Sequence, residues 1–303
     1  MMAALEWGAF MYARDVLDNW LAFYQLPQGS VLYRGLEMAQ QGRMLTVTAM
    51  YYRYTRDASP LLDHLPRIAG VADMLLRRRA LALAAHPDCN DSRHGMPTGN
   101  DEADLAWTTV TGKGGTAYPF LSIAAEAWRG LRDCGEALAQ VAAAMDPSDG
   151  RRAAVLELAS RMGQEAPRLL QDLRRSVELD ATHELNAFGE QVTCHPYAAG
   201  TRECGMLPAA PSNRDSEPWR TYAEAMYSGA LDASIIRDIL VWHQTTQGSG
   251  VRGSRLKLGV LSGCGGDVSC GDQLETFTIH GWGYGLLQAR GGREVGERWV
   301  RGG

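Results

Sequence analysis

Apolar residues recurring every three or four positions run through the first 180 residues, and this period commits most of the chain to helices that bury one stripe each. Leu5, Phe10, Val16, Leu17, Trp20, Leu21 and Tyr24 predict one helix from Ala3 to Tyr24, closed by the turn residues Leu26-Pro27-Gln28-Gly29. Leu36 to Tyr54 predicts a second, with Leu45, Thr48, Tyr51 and Tyr52 in its latter half. Asp57 or Ser59 can cap a third that begins at Pro60, runs toward Leu83 and is interrupted by Pro66. After a polar segment from His86 to Thr116, the pattern predicts helices over Pro119–Asp133, Gly135–Met145, Gly150–Met162 and Ala166–Asp180. Ser216–Tyr227 and Leu231–His243 form a later pair. Long helices joined by short turns stack as antiparallel hairpins, so the fold class is mainly α.

Residues 186 to 216 show little periodicity and many polar, Gly and Pro residues. Beyond Gly248 the chain is glycine-rich, with apolar runs at Leu256–Leu261 and Phe277–Leu287. One domain is expected over 1–288. Residues 289–303 carry no face to bury and read as a disordered terminus, or as the product of a truncation or a shifted reading frame.

Composition narrows the partners. Apolar residues make up 45% and the net charge is only −5, enough apolar character for a packed core and too little positive charge for a nucleic-acid surface. No apolar run reaches the roughly 18 residues of a membrane span, and Glu6, Arg14, Asp15 and Asp18 break up the start as no signal peptide would. A cytoplasmic protein is expected, unless an export signal lies upstream. Cys194 with Cys204, and Cys264 with Cys270, fit two local disulfides, free thiols or, less well given their spacing, a zinc site.

Four segments carry residues fit for chemistry. His94-Gly-Met-Pro-Thr-Gly-Asn100-Asp101-Glu102-Ala-Asp104 crowds three carboxylates together, and mutual repulsion raises the proton affinity of one of them. An acid paired with a second carboxylate is what glycoside cleavage needs. The plainer alternative is that Thr98 or Asn100 caps the next helix and the acids favour its positive end. His195 and Tyr197, followed by Arg202, offer a base, a phenolic acid and a carboxylate clamp, or else a core-filling aromatic and a histidine on a backbone carbonyl. Glu217 falls in the first turn of a helix whose Trp219 and Tyr222 present flat surfaces for sugar rings, though Glu217 also suits the helix dipole. His280, Trp282 and Tyr284 alternate with glycines, so an extended strand would project all three from one face toward a ligand or against a helix.

No cofactor or resident metal is expected. Gly112-Lys113-Gly114-Gly115-Thr116 lacks the arrangement of a phosphate loop, Asp267 and Asp272 miss calcium-loop spacing, and Asp101-Glu102-x-Asp104 falls one residue short of a magnesium-diphosphate motif.

The succession of helical hairpins, the polar loops with clustered acids and aromatics, and the late His280-Gly-Trp282-Gly-Tyr284-Gly segment resemble the six-hairpin (α/α) toroid carbohydrate-active enzymes. That group takes in glycoside hydrolases and the toroid domains of polysaccharide lyases. The chain has fewer helical segments than six hairpins require, so the resemblance is to a toroid or part of one. It implies an oligo- or polysaccharide substrate and a cleft built at one end by the inter-helix loops. Hydrolysis would use one of Asp101, Glu102 or Asp104 as acid and Glu217 as base or nucleophile. The other candidates, His94, Asn100, Arg202, Trp219, Tyr222, His280, Trp282 and Tyr284, would contact substrate. Elimination would instead use His195 or Tyr197 beside a uronic carboxylate neutralised by Arg202. A non-catalytic helical scaffold or an inactive fragment is the alternative from outside enzymology.

Overall fold

Glycine 8 sets the first departure from the helical pattern. Its φ of +77° is left-handed backbone that suits glycine, and it splits the N-terminal segment into α1 (Met2–Glu6) and α2 (Phe10–Asn19), continued by a π-helical turn over Trp20–Tyr24. The buried stripe is Leu5, Ala13, Leu17 and Leu21, while Phe10 stays 37% exposed. The computed structural model describes residues 1–24, 29, 38–99, 118–186, 188–201 and 219–246.

The fold is mainly helical, with one two-stranded sheet among the described residues. Helix α3 spans Met38–Thr55 and buries Leu45, Thr48, Tyr51 and Tyr52 as the pattern predicts. The hydroxyls of Thr46, Thr48 and Thr55 donate to the carbonyls four residues back, which satisfies them inside the helix. The interruption expected at Pro66 falls at His64. It separates α4 (Ser59–Asp63) from α5 (Leu65–Ala85), and Pro66 occupies the first turn of α5, where its missing N–H costs nothing.

Two expected breaks are absent. The segments on either side of Gly135 are one helix, α6 (Leu121–Ala144), because Gly135 is buried in its interior, where Met162 packs directly against it. The segments on either side of Gly163 are also one helix, α7 (Arg152–Leu179), with Pro167 inside it. Proline leaves the Gly163 carbonyl without its helical donor, but both residues face solvent, where water can serve that carbonyl. The stripe Ala159, Met162, Ala166, Leu169, Leu173 and Val177 is buried throughout and carries the helix across the proline.

Side-chain contacts give the helix directions. Arg43 of α3 reaches Glu126 of α6, Arg53 reaches Asp133 and Glu136, and Arg56 reaches Gln140. The numbers rise together, so α3 and α6 are parallel. Arg152 donates to the Ala142 carbonyl at 3.1 Å while Gly135 lies against Met162, so α6 and α7 are antiparallel. Arg161 pairs with Asp73, and Arg79 with Glu165 and Asp172, which makes α5 and α7 parallel. Each pair of parallel neighbours is thus joined through a helix running the other way.

The α3–α6 crossing is close. A Cβ on Gly42 would sit 2.2 Å from the Glu126 carbonyl oxygen, and one on Gly130 would sit 2.3 Å from that of Gly42. Helix α6 is accordingly buried on nearly every face from Leu121 to Gly135.

After α7 comes a hairpin the helical pattern does not announce, β1 (Thr182–Leu185) and β2 (Gln191–Cys194). Its turn is built by Asn186, whose Oδ1 accepts the N–H groups of Phe188 and Glu190, with Gly189 at φ +78°. Helix α8 (Trp219–Ser228) falls within the helix expected from Ser216, whose first three residues lie outside the described ones, and α9 (Ala233–Thr246) follows with Ile235, Ile239 and Trp242 buried on one stripe.

Contacts divide the chain into two compact units, 1–184 with 193–232, and 185–192 with 233–303. The tail at 289–303 lies outside the described residues. Among the described residues, no helix is long and apolar enough to cross a membrane.

Candidate functional site

The lead-in to α6 is where separate parts of the first unit converge. Gly99 and Tyr118 exchange both backbone hydrogen bonds at 3.1 Å, so the chain leaves this point after Gly99 and returns to it at Tyr118. Phe120 then bridges to Ala198, the Leu121 N–H donates to the Tyr197 carbonyl at 2.9 Å, and the Ala199 N–H donates to the Pro119 carbonyl at 3.0 Å. The backbone donors at the start of α6, which no helical carbonyl can serve, find one here. Residues 94–99, 118–121 and 195–201 form one stitched platform.

Charged groups brace it from α7. Arg79 and Arg175 hold Asp172 at 2.6 Å each, and the Asp172 carboxylate lies against Gly95, whose φ is +70°. A Cβ at Gly95 would come within 2.1 Å of that carboxylate. The Asp180 carboxylate accepts the Gly200 N–H at 2.6 Å, beside the Arg93 side chain. Arg93 also forks onto Asp91, and its side-chain hydrogen bonds hold the Asp91 carboxyl well below the usual carboxylate range.

Of the predicted site residues, His94 sits on this platform in the most useful state. It is half-buried, and its Nδ1 lies 2.7 Å from the His86 carbonyl. A carbonyl only accepts, so the proton is on Nδ1 and the Nε2 lone pair of the neutral ring can accept from a ligand.

His195 and Tyr197 belong to the same platform but face inward. Tyr197 is fully buried and stacks with Phe120 at 6.1 Å; His195 is 7% exposed, with Nδ1 3.4 Å from the Val177 carbonyl. This is the packing alternative: an aromatic filling the core and a histidine on a backbone carbonyl. It removes both rings from the reach of a polymeric substrate. Tyr222 is corrected in the same way. It is 1% exposed and donates its hydroxyl to the His195 carbonyl at 2.5 Å, with burial pushing the phenol above its ordinary range. A ring inside the core offers no face to a sugar. The direction of α8 comes from its contacts: Glu224 and Glu126 of α6 meet the same Arg43, and further along Arg129 donates to the Tyr227 carbonyl at 3.0 Å, so α8 runs parallel to α6.

Trp219 is the first residue of α8. Asn100, Asp101, Glu102, Asp104, Arg202, Glu217, His280, Trp282 and Tyr284 lie outside the described residues. Cys194 is disulfide-bonded, which decides the thiol question for that residue, while Cys89 and Cys134 are free. Among the described residues, no group of three or more His, Cys, Asp or Glu side chains is arranged to hold a metal.

The platform's bracing residues, Arg93, Asp172, Asp180 and Tyr118, were not singled out from sequence. The one local signal was Asp91-Ser92-Arg93, where Asp91 accepts the Arg93 N–H at 2.9 Å in a side-chain-closed turn. No family model matches the chain, and no curated protein or solved structure matches it.

Proposed function

We propose that this protein is a carbohydrate-active enzyme of the (α/α) toroid kind, cleaving glycosidic bonds of an oligo- or polysaccharide by carboxylate acid–base hydrolysis. The observation that supports the reading is that α6 and α8 are parallel neighbours. Parallel helices begin at the same end, so Leu121 and Trp219, where α6 and α8 begin, lie at one end of the pair; Asp101, Glu102 and Asp104 precede the one in sequence and Glu217 the other. The alternation of parallel helices with return helices is also what successive toroid hairpins produce. In this mechanism one acid of the Asp101–Asp104 group protonates the leaving oxygen, and Glu217 serves as base or nucleophile. His94 binds a sugar hydroxyl through Nε2. Elimination by His195 and Tyr197 has less support, because both rings are buried.

Glu217→Gln is expected to lower reducing-sugar release about 100- to 10,000-fold, the range for loss of an acid–base group, with the circular dichroism spectrum intact. The same loss is expected for one of Asp101→Asn, Glu102→Gln and Asp104→Asn. Full activity in all four variants would remove the carboxylate mechanism. Unsaturated, ultraviolet-absorbing products would point to elimination, and no cleavage across a panel of neutral and uronic polymers would favour a scaffold.

A further inference from the structure

The imidazole of His94 is tied to α5 by two routes. The short one is its own hydrogen bond, Nδ1 donating at 2.7 Å to the carbonyl of His86, the residue that closes α5. The long one runs through α7. Arg79 of α5, about 10 Å before His86 along the helix axis, donates to Asp172 Oδ2 at 2.6 Å, and Arg175 donates to Oδ1 at 2.6 Å. Oδ2 is the atom that Gly95 lies against, and Gly95 follows His94 in the chain. The His94 N–H donates to the Asp91 carbonyl at 2.9 Å and the Met96 N–H to the Arg93 carbonyl at 3.1 Å, which holds the backbone on either side.

The Arg79–Asp172–Arg175 triad is a poor source of net stability. Asp172 is 6% exposed, and the water it gives up costs roughly what its partners return, so apolar groups of like volume are often as stable. What a carboxylate clamped on both oxygens supplies is a wall at a fixed place. It stands so near that a Cβ on Gly95 would come within 2.1 Å of Oδ2, and the φ of +70° there is one that glycine adopts freely. A neutral imidazole carries its proton on either nitrogen, according to the acceptor it meets.

We propose that Asp172 is a positioning residue for His94: the wall it makes against Gly95 sets the His94 backbone so that Nδ1, and not Nε2, meets the His86 carbonyl, and Nε2 is left bare as the acceptor for a ligand hydroxyl. Asp172 acts through Gly95 and His94, not on the ligand itself. That the hydroxyl belongs to a sugar rests on the function proposed above; the choice of tautomer does not.

The test is ring-nitrogen NMR of the full chain at about pH 9, above the range in which histidine ordinarily titrates. The wild type should show His94 with a protonated Nδ1 and a bare Nε2, and a proton found on Nε2 overturns the proposal whether or not any variant folds. Asp172→Ala removes the wall and Gly95→Ala pushes the chain off it; in each, the two nitrogen shifts should move together as the tautomers mix. Arg175→Gln, at a part-exposed position, loosens one side of the wall and should move them less. Unchanged shifts in every variant that folds overturn the positioning role. On a cleaved polymer, Asp172→Ala should raise KM about fivefold with kcat unchanged, the loss of one uncharged hydrogen bond, and should add nothing in a His94→Ala background. A further loss of about that size in the His94→Ala background shows that Asp172 does not act through His94 and sinks the idea. If no polymer is cleaved while the shifts move as expected, the glycosidase reading falls and the positioning of His94 stands.

Discussion

Two of the parallel helix pairs of the first unit, α3 with α6 and α5 with α7, are held by different physics. Along α3 and α6 the backbones themselves touch, at Gly42 and Gly130, and the arginines of α3 reach over that seam to carboxylates of α6. Along α5 and α7 the partners meet through long side chains, Arg161 with Asp73 and Arg79 with Glu165 and Asp172, while Gly163 of α7 faces solvent. The first arrangement depends on absent side chains. The second depends on present ones, and it tolerates spacing changes that the first cannot.

The sharpest way to break that contrast is to make the same substitution on both pairs. Gly42→Ala drives a methyl into the Glu126 carbonyl, so the helices must separate; a loss of about 3 kcal/mol is expected, the upper part of the overpacking range, read as a lower urea midpoint. Arg79→Ala should come next. It strips Asp172 of a 2.6 Å partner in a site where that carboxylate is 8% exposed, leaving Arg175 to hold it. About 2 kcal/mol is expected, in keeping with a charged hydrogen bond lost from a buried group. Gly163→Ala reverses the sign, raising the midpoint by about 0.7 kcal/mol, because it adds helix propensity in open space. Arg161→Ala is expected to cost only about 0.3 kcal/mol, since that pair is roughly two-fifths exposed on both sides. If Gly42→Ala cost no more than Arg161→Ala, the contrast between the two seams would be gone.

The sequence made the helices legible wherever one stripe is apolar. Leu45, Thr48, Tyr51 and Tyr52 are buried as their spacing implies, and the helical hairpins follow from the periods on either side of 146–150. Residues that usually end helices misled where tertiary packing overrides propensity. Gly135 is small because Met162 needs the space, and Pro167 is tolerated because its orphaned carbonyl faces water. Of the site, His94 stood out by type, but the sequence could not say which way His195, Tyr197 and Tyr222 point. Polar side chains in unpatterned sequence satisfy a hidden carbonyl as readily as a ligand. The hairpin at 182–194 was invisible because a pair of four-residue strands is too short for alternation to register.

The paired hydrogen bonds between Gly99 and Tyr118 carry a consequence for variation. A stretch whose two ends meet at one ladder rung is fastened there like the handle of a bucket. The start of α6 keeps its place so long as Gly99 and Tyr118 stay paired, whatever number of residues separates them.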